Sequence, residues 1–292
     1  MIFAIGSVDA DIRAFFDSVD HKLLIAALNE EIADGRVLHL ITQMLRAGVV
    51  EPGVAEIEPT ELGTAQGGPL SPLLANVYLH AFDLAMSEAG YGLVRYADDF
   101  VIFARSESEA NAALTLARQV LEGQLGLHLH PEKTRIVSVE TGFEFLGFHY
   151  FRSPKKDVQC KEVRHKSVHR FREAVRGRTP RLHTQRPVKP KHLTLARLVK
   201  NRRVAKMVKE LNDYLRGWHW YFKSVKLQYN ADRPFAKFDY FVRGRVRSAI
   251  VGRVGSGWWT VRLTNRLLRN LGLIELAELQ EKYRRGFLVQ PA

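Results

Sequence analysis

Leu93-Val94-Arg95-Tyr96-Ala97-Asp98-Asp99-Phe100-Val101-Ile102-Phe103-Ala104 places two adjacent carboxylates between two runs rich in Val, Ile, Phe and Tyr. Such runs favour extended backbone and Asp-Asp is turn chemistry, so the stretch predicts a β-hairpin with both acids at its tip. An acidic turn is ordinarily a solvated turn. A second acidic stretch changes the reading: Ala4 to Phe16 begins as an apolar strand and carries Asp9 and Asp11, with Asp17 just beyond. In extended geometry Asp9 and Asp11 share a face. Two acidic strand ends lying side by side would make a site for divalent metal held by oxygen ligands.

Composition is consistent with oxygen ligation. The single cysteine, Cys160, can form no internal disulfide and excludes a Cys-rich zinc module. The chain of 292 residues has room for about two domains. No apolar run approaches the roughly 18 residues of a membrane span, and Met1 opens no signal-peptide pattern, which predicts a cytoplasmic protein. Charge divides the chain sharply. Residues 1–150 hold 9 Lys+Arg against 21 Asp+Glu, a net of −12; residues 151–292 hold 35 against 10, a net of +25. A basic half with interleaved aromatics points to a polyanionic partner, most simply nucleic acid, because cations placed at phosphates release condensed counterions.

Outward from the acids, His21–Asn29 and Arg36–Ala47 read as amphipathic helices packed on a sheet. Gly63 to Pro72 is a glycine- and proline-rich loop that lets backbone approach a ligand and presents Gln66. A helix from about Pro72 to Ser87 follows, with Ser71 as its cap and Leu73, Leu74, Val77, Tyr78, Ala81, Phe82 and Ala85 as its buried stripe. After the hairpin come a helix over about Glu107–Glu122 and an alternating His128/His130 segment whose histidines belong on a surface. Lys133 then precedes a strand at Ile136–Val139, and Phe143 to Tyr150 forms a hairpin-like element.

From Arg152 to Lys191 the composition turns to Lys, Arg, His, Pro and Thr. Val163–Val175 has helical character and Arg178–Lys191 reads as a linker or an arm ordered by its partner. Helical periodicity returns at Leu195, Leu198, Ala205, Val208, Leu211 and Leu215, followed by an aromatic cluster of Tyr214, Trp218, Trp220, Tyr221 and Phe222. Phe235, Phe238, Val242, Val246 and Ala249 mark a further helix. The fold class expected is α+β.

Three motifs stand in one order: Asp9-Ala10-Asp11-Ile12-Arg13-Ala14-Phe15-Phe16-Asp17, Gln66-Gly67-Gly68-Pro69-Leu70-Ser71-Pro72, and Tyr96-Ala97-Asp98-Asp99. In that order they resemble the palm motifs of a reverse transcriptase. Asn212-Asp213-Tyr214-Leu215-Arg216-Gly217-Trp218 with Tyr221-Phe222 resembles the maturase-specific region that follows the palm in group II intron reverse transcriptases.

The resemblance implies a palm over 1–151, a basic linker or RNA-binding arm over 152–192, and a helical maturase/thumb domain over 193–292. It implies two-metal nucleotidyl transfer with two Mg2+ (or Mn2+), dNTP, RNA template and DNA primer, and intron RNA as a further partner. Asp11, Asp98 and Asp99 would be the metal ligands, with the Ile12 backbone carbonyl beside them. Phe16 would lie under the sugar of the incoming nucleotide and exclude a 2′-hydroxyl by volume. Gln66 would bind near that nucleotide, and Lys133 would neutralise or protonate the leaving pyrophosphate. Phe145, Leu146 and Gly147 resemble the primer grip. Arg202, Arg203, Lys206 and Lys209 are the RNA contacts expected in the basic half.

Asp11 lies only ten residues from Met1, so the chain resembles a palm and thumb without the fingers segment that precedes this motif in the family. Two alternatives accompany this reading. One is an RNA-binding maturase or chaperone whose polymerase site is idle. The other, a metal-dependent glycosyltransferase using Asp9-x-Asp11, leaves the Asp-Asp hairpin and the basic half unexplained.

Overall fold

The protein is represented by a computed structural model that describes residues 6–47, 61–64, 68–138, 140–153, 158–182, 194–225, 235–251 and 263–286. The chain divides into two compact units, Met1–Phe145 and Leu146–Ala292. This division falls ahead of the boundary expected after 151. The charge division survives it, because Leu146 to Tyr150 carries no Asp, Glu, Lys or Arg.

In the first unit the hairpin forms where its residues favour it. β2 (Gly92–Tyr96) and β3 (Asp99–Ala104) pair antiparallel from Gly92↔Phe103 to Tyr96↔Asp99. Only Asp98 sits in the connecting turn; Asp99 already opens β3. β1 (Gly6–Asp11) pairs antiparallel with β3 on one side and with β4 (Arg135–Ser138) on the other, giving the order β2-β3-β1-β4. Directly paired residues share a face of a sheet. Val8↔Ile102 and Ala10↔Phe100 therefore look one way and Asp11↔Asp99 the other. The first set is buried to 1% exposure or less and joins a core with Leu24, Phe82, Met86 and Leu121.

The strand expected as far as Phe16 ends earlier. Past Asp11 it keeps a single bridge, Ile12↔Leu129, and Ala14 then takes a left-handed φ of 45°. That turn sends the chain into the one-turn helix α1 (Phe15–Ser18). Helices α2 (His21–Glu31) and α3 (Gly35–Arg46) follow, capped by Asp20 and Asp34 through their side-chain oxygens.

The single helix expected over 72–87 is two, α4 (Ser71–Tyr78) and α5 (His80–Glu88), broken at Leu79 where ψ is 0°. Ser71 lies inside α4 rather than at its cap, which is Leu70. The buried stripe also turns: Leu74, Ala75, Tyr78, Leu79, Phe82 and Met86 face the core, while Leu73 is 60% exposed. Ser106 caps α6 (Glu107–Arg118), which ends in a π-helical turn over Gln119–Gln124. Among the described residues no helix is long and apolar enough to cross a membrane.

The second unit opens with the hairpin β5 (Phe148–Ser153) and β6 (Val158–Val163). The segment expected to be a linker contains helix α7 (His165–Arg178), and its Phe171 and Val175 are buried in the core of this unit. Residues 183–192, the rest of the expected arm, lie outside the described residues. The next periodic stretch is two helices, α8 (Leu195–Lys200) and α9 (Arg202–Phe222), with Asn201 capping the second through Arg203 N and Val204 N. Val204 and Met207 occupy the core, and Ala205, expected there, is exposed.

α10 (Ala236–Val251), α11 (Asn265–Asn270) and α12 (Leu276–Arg284) complete the unit. Trp218 is its aromatic hub, 4.5 Å from the Phe171 ring and 4.7 Å from those of Phe222 and Phe238. Asn212 fixes the C-terminal helices to α9 by donating to Gly272 O at 2.7 Å and accepting from Ile274 N at 3.1 Å.

Candidate active site

The site begins with register. β1 and β3 bring Asp11 directly opposite Asp99, and the β2–β3 turn adds Asp98 beside them. A third segment closes on the same place: Arg13 N donates to His128 O and His130 N donates to Asp11 O, both at 2.8 Å. The turn after His130 carries Lys133, whose Nζ forms an ion pair with Asp11 Oδ2. His128 is exposed between the buried Leu127 and Leu129, as the alternation predicts.

Electrostatics follow from this crowding. Asp98 is raised above the usual aspartate range first by burial, with a further push from Asp11 that Lys133 opposes. Lys133 is raised above an ordinary lysine chiefly by its hydrogen bond with Asp11; its partial desolvation works the other way, and the charges of Asp11, Asp98 and Asp99 add to the rise. A cation is thus stabilised where three carboxylates accumulate charge.

These oxygens suit a hard divalent ion, and the Lys133 ammonium stands beside Asp11 where such an ion's charge is called for. The cage is not preassembled: among the described residues no three His, Cys, Asp or Glu side chains are grouped to hold a metal ion. Binding would have to draw the carboxylates together and release Asp11 from Lys133. Ile12 adjoins the cluster with its side chain buried at 2% exposure. The side chain of Asp9 lies outside the described residues.

Phe16 is on α1, not on a strand. Its neighbour Phe15 fills the core at 2% exposure, which leaves Phe16 half-buried with its ring edge-on to Phe15 at 5.2 Å. The start of the glycine-rich loop is pinned to the same turn. Thr64 N donates to Phe16 O at 2.6 Å, Gly63 N donates to Val19 O at 2.8 Å, and a Cβ on Gly63, at φ 89°, would stand 3.2 Å from Phe16 O. Glycine is required there by both its φ and this approach. Gln66 itself lies outside the described residues.

Of the expected primer-grip residues, Phe145 is buried in the first unit. Leu146 and Gly147 have φ of 47° and 81° in the second. The Leu146 carbonyl accepts from Tyr221 Oη at 2.9 Å, and the Gly147 carbonyl accepts from Arg164 N at 3.1 Å and from Ser167 Oγ at 3.2 Å. Arg202, Arg203, Lys206 and Lys209 are all exposed along the first half of α9. Arg95 also reaches the turn that carries Asp98, its Nη1 donating to Ala97 O at 2.9 Å. Its signal in the sequence was its scarcity, one of nine basic residues in residues 1–150 and three positions before the carboxylate pair.

Residues 5–150 match the family model described as reverse transcriptase (RNA-dependent DNA polymerase). Protein YkfC of Escherichia coli (strain K12) is 30% identical over 190 residues, covering 53% of this chain and 49% of that protein. The group II intron-encoded protein LtrA of Lactococcus lactis subsp. cremoris is 46% identical over 76 residues, 26% of this chain and 12% of LtrA. The chain thus spans about half the length of YkfC and a smaller part of LtrA. A solved structure of telomerase from Candida albicans with a fragment of telomeric RNA aligns over 99% of this chain and 52% of its own, at 12% identity and a TM-score of 0.44.

Proposed function

Because the chain belongs to the reverse transcriptase (RNA-dependent DNA polymerase) family, we propose that its acidic unit is the palm of an RNA-directed DNA polymerase of the group II intron type. The basic unit is the thumb and maturase region that grips intron RNA or template-primer. The observation that carries the reading is the convergence of Asp11, Asp99 and Asp98 with Lys133 at one end of the sheet. The local identity to LtrA supports the intron type.

In this reading Asp11, Asp98 and Asp99, with the Ile12 carbonyl, would hold two Mg2+ ions, which when bound would supply activation of the primer 3′-hydroxyl and charge compensation for the triphosphate. Phe16 lies under the sugar of the incoming dNTP. Thr64 N, at the start of the glycine-rich loop, donates to Phe16 O, and by the family resemblance Gln66 binds near the same nucleotide. Lys133 Nζ leaves Asp11 to neutralise the departing pyrophosphate and can donate a proton to its oxygen. Leu146 and Gly147, with Phe145, contact the primer strand. Arg202, Arg203, Lys206 and Lys209 meet phosphates, as cations at the start of a helix can.

Asp98→Asn tests the reading in single-turnover primer extension on an RNA template with Mg2+, beside a filter-binding assay for RNA. Removing one ligand charge should slow extension on the order of 10³-fold or more while RNA binding stays within about twofold. Extension at a comparable rate would refute it. A second reading, an RNA-binding maturase with an idle polymerase site, is favoured by the Lys133–Asp11 ion pair, which occupies a carboxylate that a metal would need. Tight RNA binding by a wild-type chain that extends no primer at any Mg2+ concentration would select it.

A further inference from the structure

We propose that Arg95 is a positioning residue for the metal-binding carboxylates, holding the turn that presents Asp98 and Asp99 from the helix-covered side of the sheet. This rests on the metal reading of those two residues. In the β2–β3 register Arg95 pairs with Phe100 while Tyr96 pairs with Asp99, so Arg95 lies on the face opposite Asp99. Its side chain is only 9% exposed.

Every arm of the guanidinium is engaged. Nε donates to Asp83 Oδ1 at 2.7 Å and Nη2 forms an ion pair with Asp83 Oδ2, a two-pronged contact with α5. Nη1 donates to Ala97 O at 2.9 Å and to Asn76 Oδ1 of α4 at 3.1 Å. The Ala97 contact reaches the site. The carbonyl of Ala97 and the amide nitrogen of Asp98 share one rigid peptide plane, so fixing that oxygen fixes the direction in which the Asp98 backbone begins. Ala97 also holds a left-handed φ of 55°, which a residue with a Cβ rarely adopts unless its surroundings impose it.

The role is geometric. Asp83 neutralises the guanidinium, which therefore adds little net charge opposite Asp98 and Asp99. A planar fork holds two carboxylate oxygens and two further acceptors at once. A lysine ammonium, a single point of charge, cannot. Outer contacts that orient metal ligands typically cost 10–100-fold in metal affinity when removed.

The test compares wild type, Arg95→Met, Arg95→Lys and Asp83→Asn by Mn2+ affinity, read from the EPR signal of free Mn2+, and by thermal melting. Arg95→Met should weaken Mn2+ binding about 10–100-fold, and Arg95→Lys should not rescue it. Asp83→Asn breaks the tie to α5 but leaves the guanidinium on Ala97 O. It should therefore keep most of the Mn2+ affinity at a comparable loss of melting temperature. Should Arg95→Met not fold, Arg95→Lys carries the same comparison. Wild-type Mn2+ affinity in the Arg95 variants overturns the proposal, as does a loss of affinity that merely tracks melting across all three. If the wild type itself shows no Mn2+ binding that Asp98→Asn weakens, the metal reading falls, and with it this role.

Discussion

At the scale of single residues, adjacent side chains divide their work. Phe15 is buried and Phe16 only partly so, because a one-turn helix points consecutive residues in different directions. Phe15 anchors the turn, and Phe16 is left with surface to offer a substrate. Its backbone carbonyl is also fixed by Thr64 N, which holds the point from which the ring projects. If this ring excludes a 2′-hydroxyl by volume, Phe16→Ala should improve use of rNTP relative to dNTP by roughly tenfold or more in kcat/KM, with dNTP incorporation less affected. Unchanged discrimination would return Phe16 to the core. The family resemblance singled out Phe16 in the sequence, but neither Phe15's anchoring nor Thr64's bond was legible there, because both depend on a turn placed where a strand was expected.

At the scale of elements, the second unit uses buried polar side chains where helix ends meet. The start of α12 has no capping side chain of its own. Asp239 of α10 supplies the cap from a distance: Oδ1 accepts from Leu276 N at 2.7 Å and Oδ2 from Ala277 N at 3.0 Å. Burial dominates its titration and raises its pKa from 3.8 to about 6, against the pull of those two N–H groups. The folded state therefore holds this proton more tightly than the unfolded one. The stability it contributes is full below about pH 4 and is lost as pH rises through about 6. The gap between 3.8 and about 6 corresponds to roughly 3 kcal/mol at about 1.4 kcal/mol per pH unit.

His219 acts in the opposite sense. Burial lowers its pKa, so the unfolded state takes up its proton first and stability falls as pH drops below about 6.5. A difference measurement separates the two. All four tryptophans lie in the second unit, so urea unfolding followed by tryptophan fluorescence reports on it alone. Between pH 4.5 and 7.5 wild type should lose roughly 2 kcal/mol relative to Asp239→Asn, the part of the full effect that remains above pH 4.5; parallel pH profiles would show that burial of Asp239 is not felt. Element existence was largely legible from periodicity. Breaks such as Leu79 and Asn201, and distant caps such as Asp239, were not, because they depend on partners far away in sequence. The acid pair of the hairpin was legible from chemistry, and its register with Asp11 only from the sheet.

At the scale of the whole molecule the two units carry opposite charge, −12 and +25. Under the proposed function this polarity decides where binding energy arises. Coulomb attraction to phosphates must come from the basic unit, since the acidic one repels a polyanion except where metal or Lys133 offsets its carboxylates. Arg202, Arg203, Lys206 and Lys209 are exposed on one helix. Among the described residues, Lys206 is the one of the four seen in an ion pair, with Glu210 at 3.8 Å, and an exposed pair of that kind holds little energy. Replacing the four with Gln should weaken RNA binding and reduce the magnitude of the slope of log K against log salt by about 3, at roughly 0.7–0.9 for each phosphate no longer neutralised. Their aliphatic stems also cover surface, so thermal melting of the variant must match wild type within a few degrees before the slope is compared. Affinity that falls with no change in slope would mean that these side chains pack rather than meet phosphates. A slope and affinity both unchanged would move the RNA face to another part of the basic unit, such as the arginines of α7 and α10.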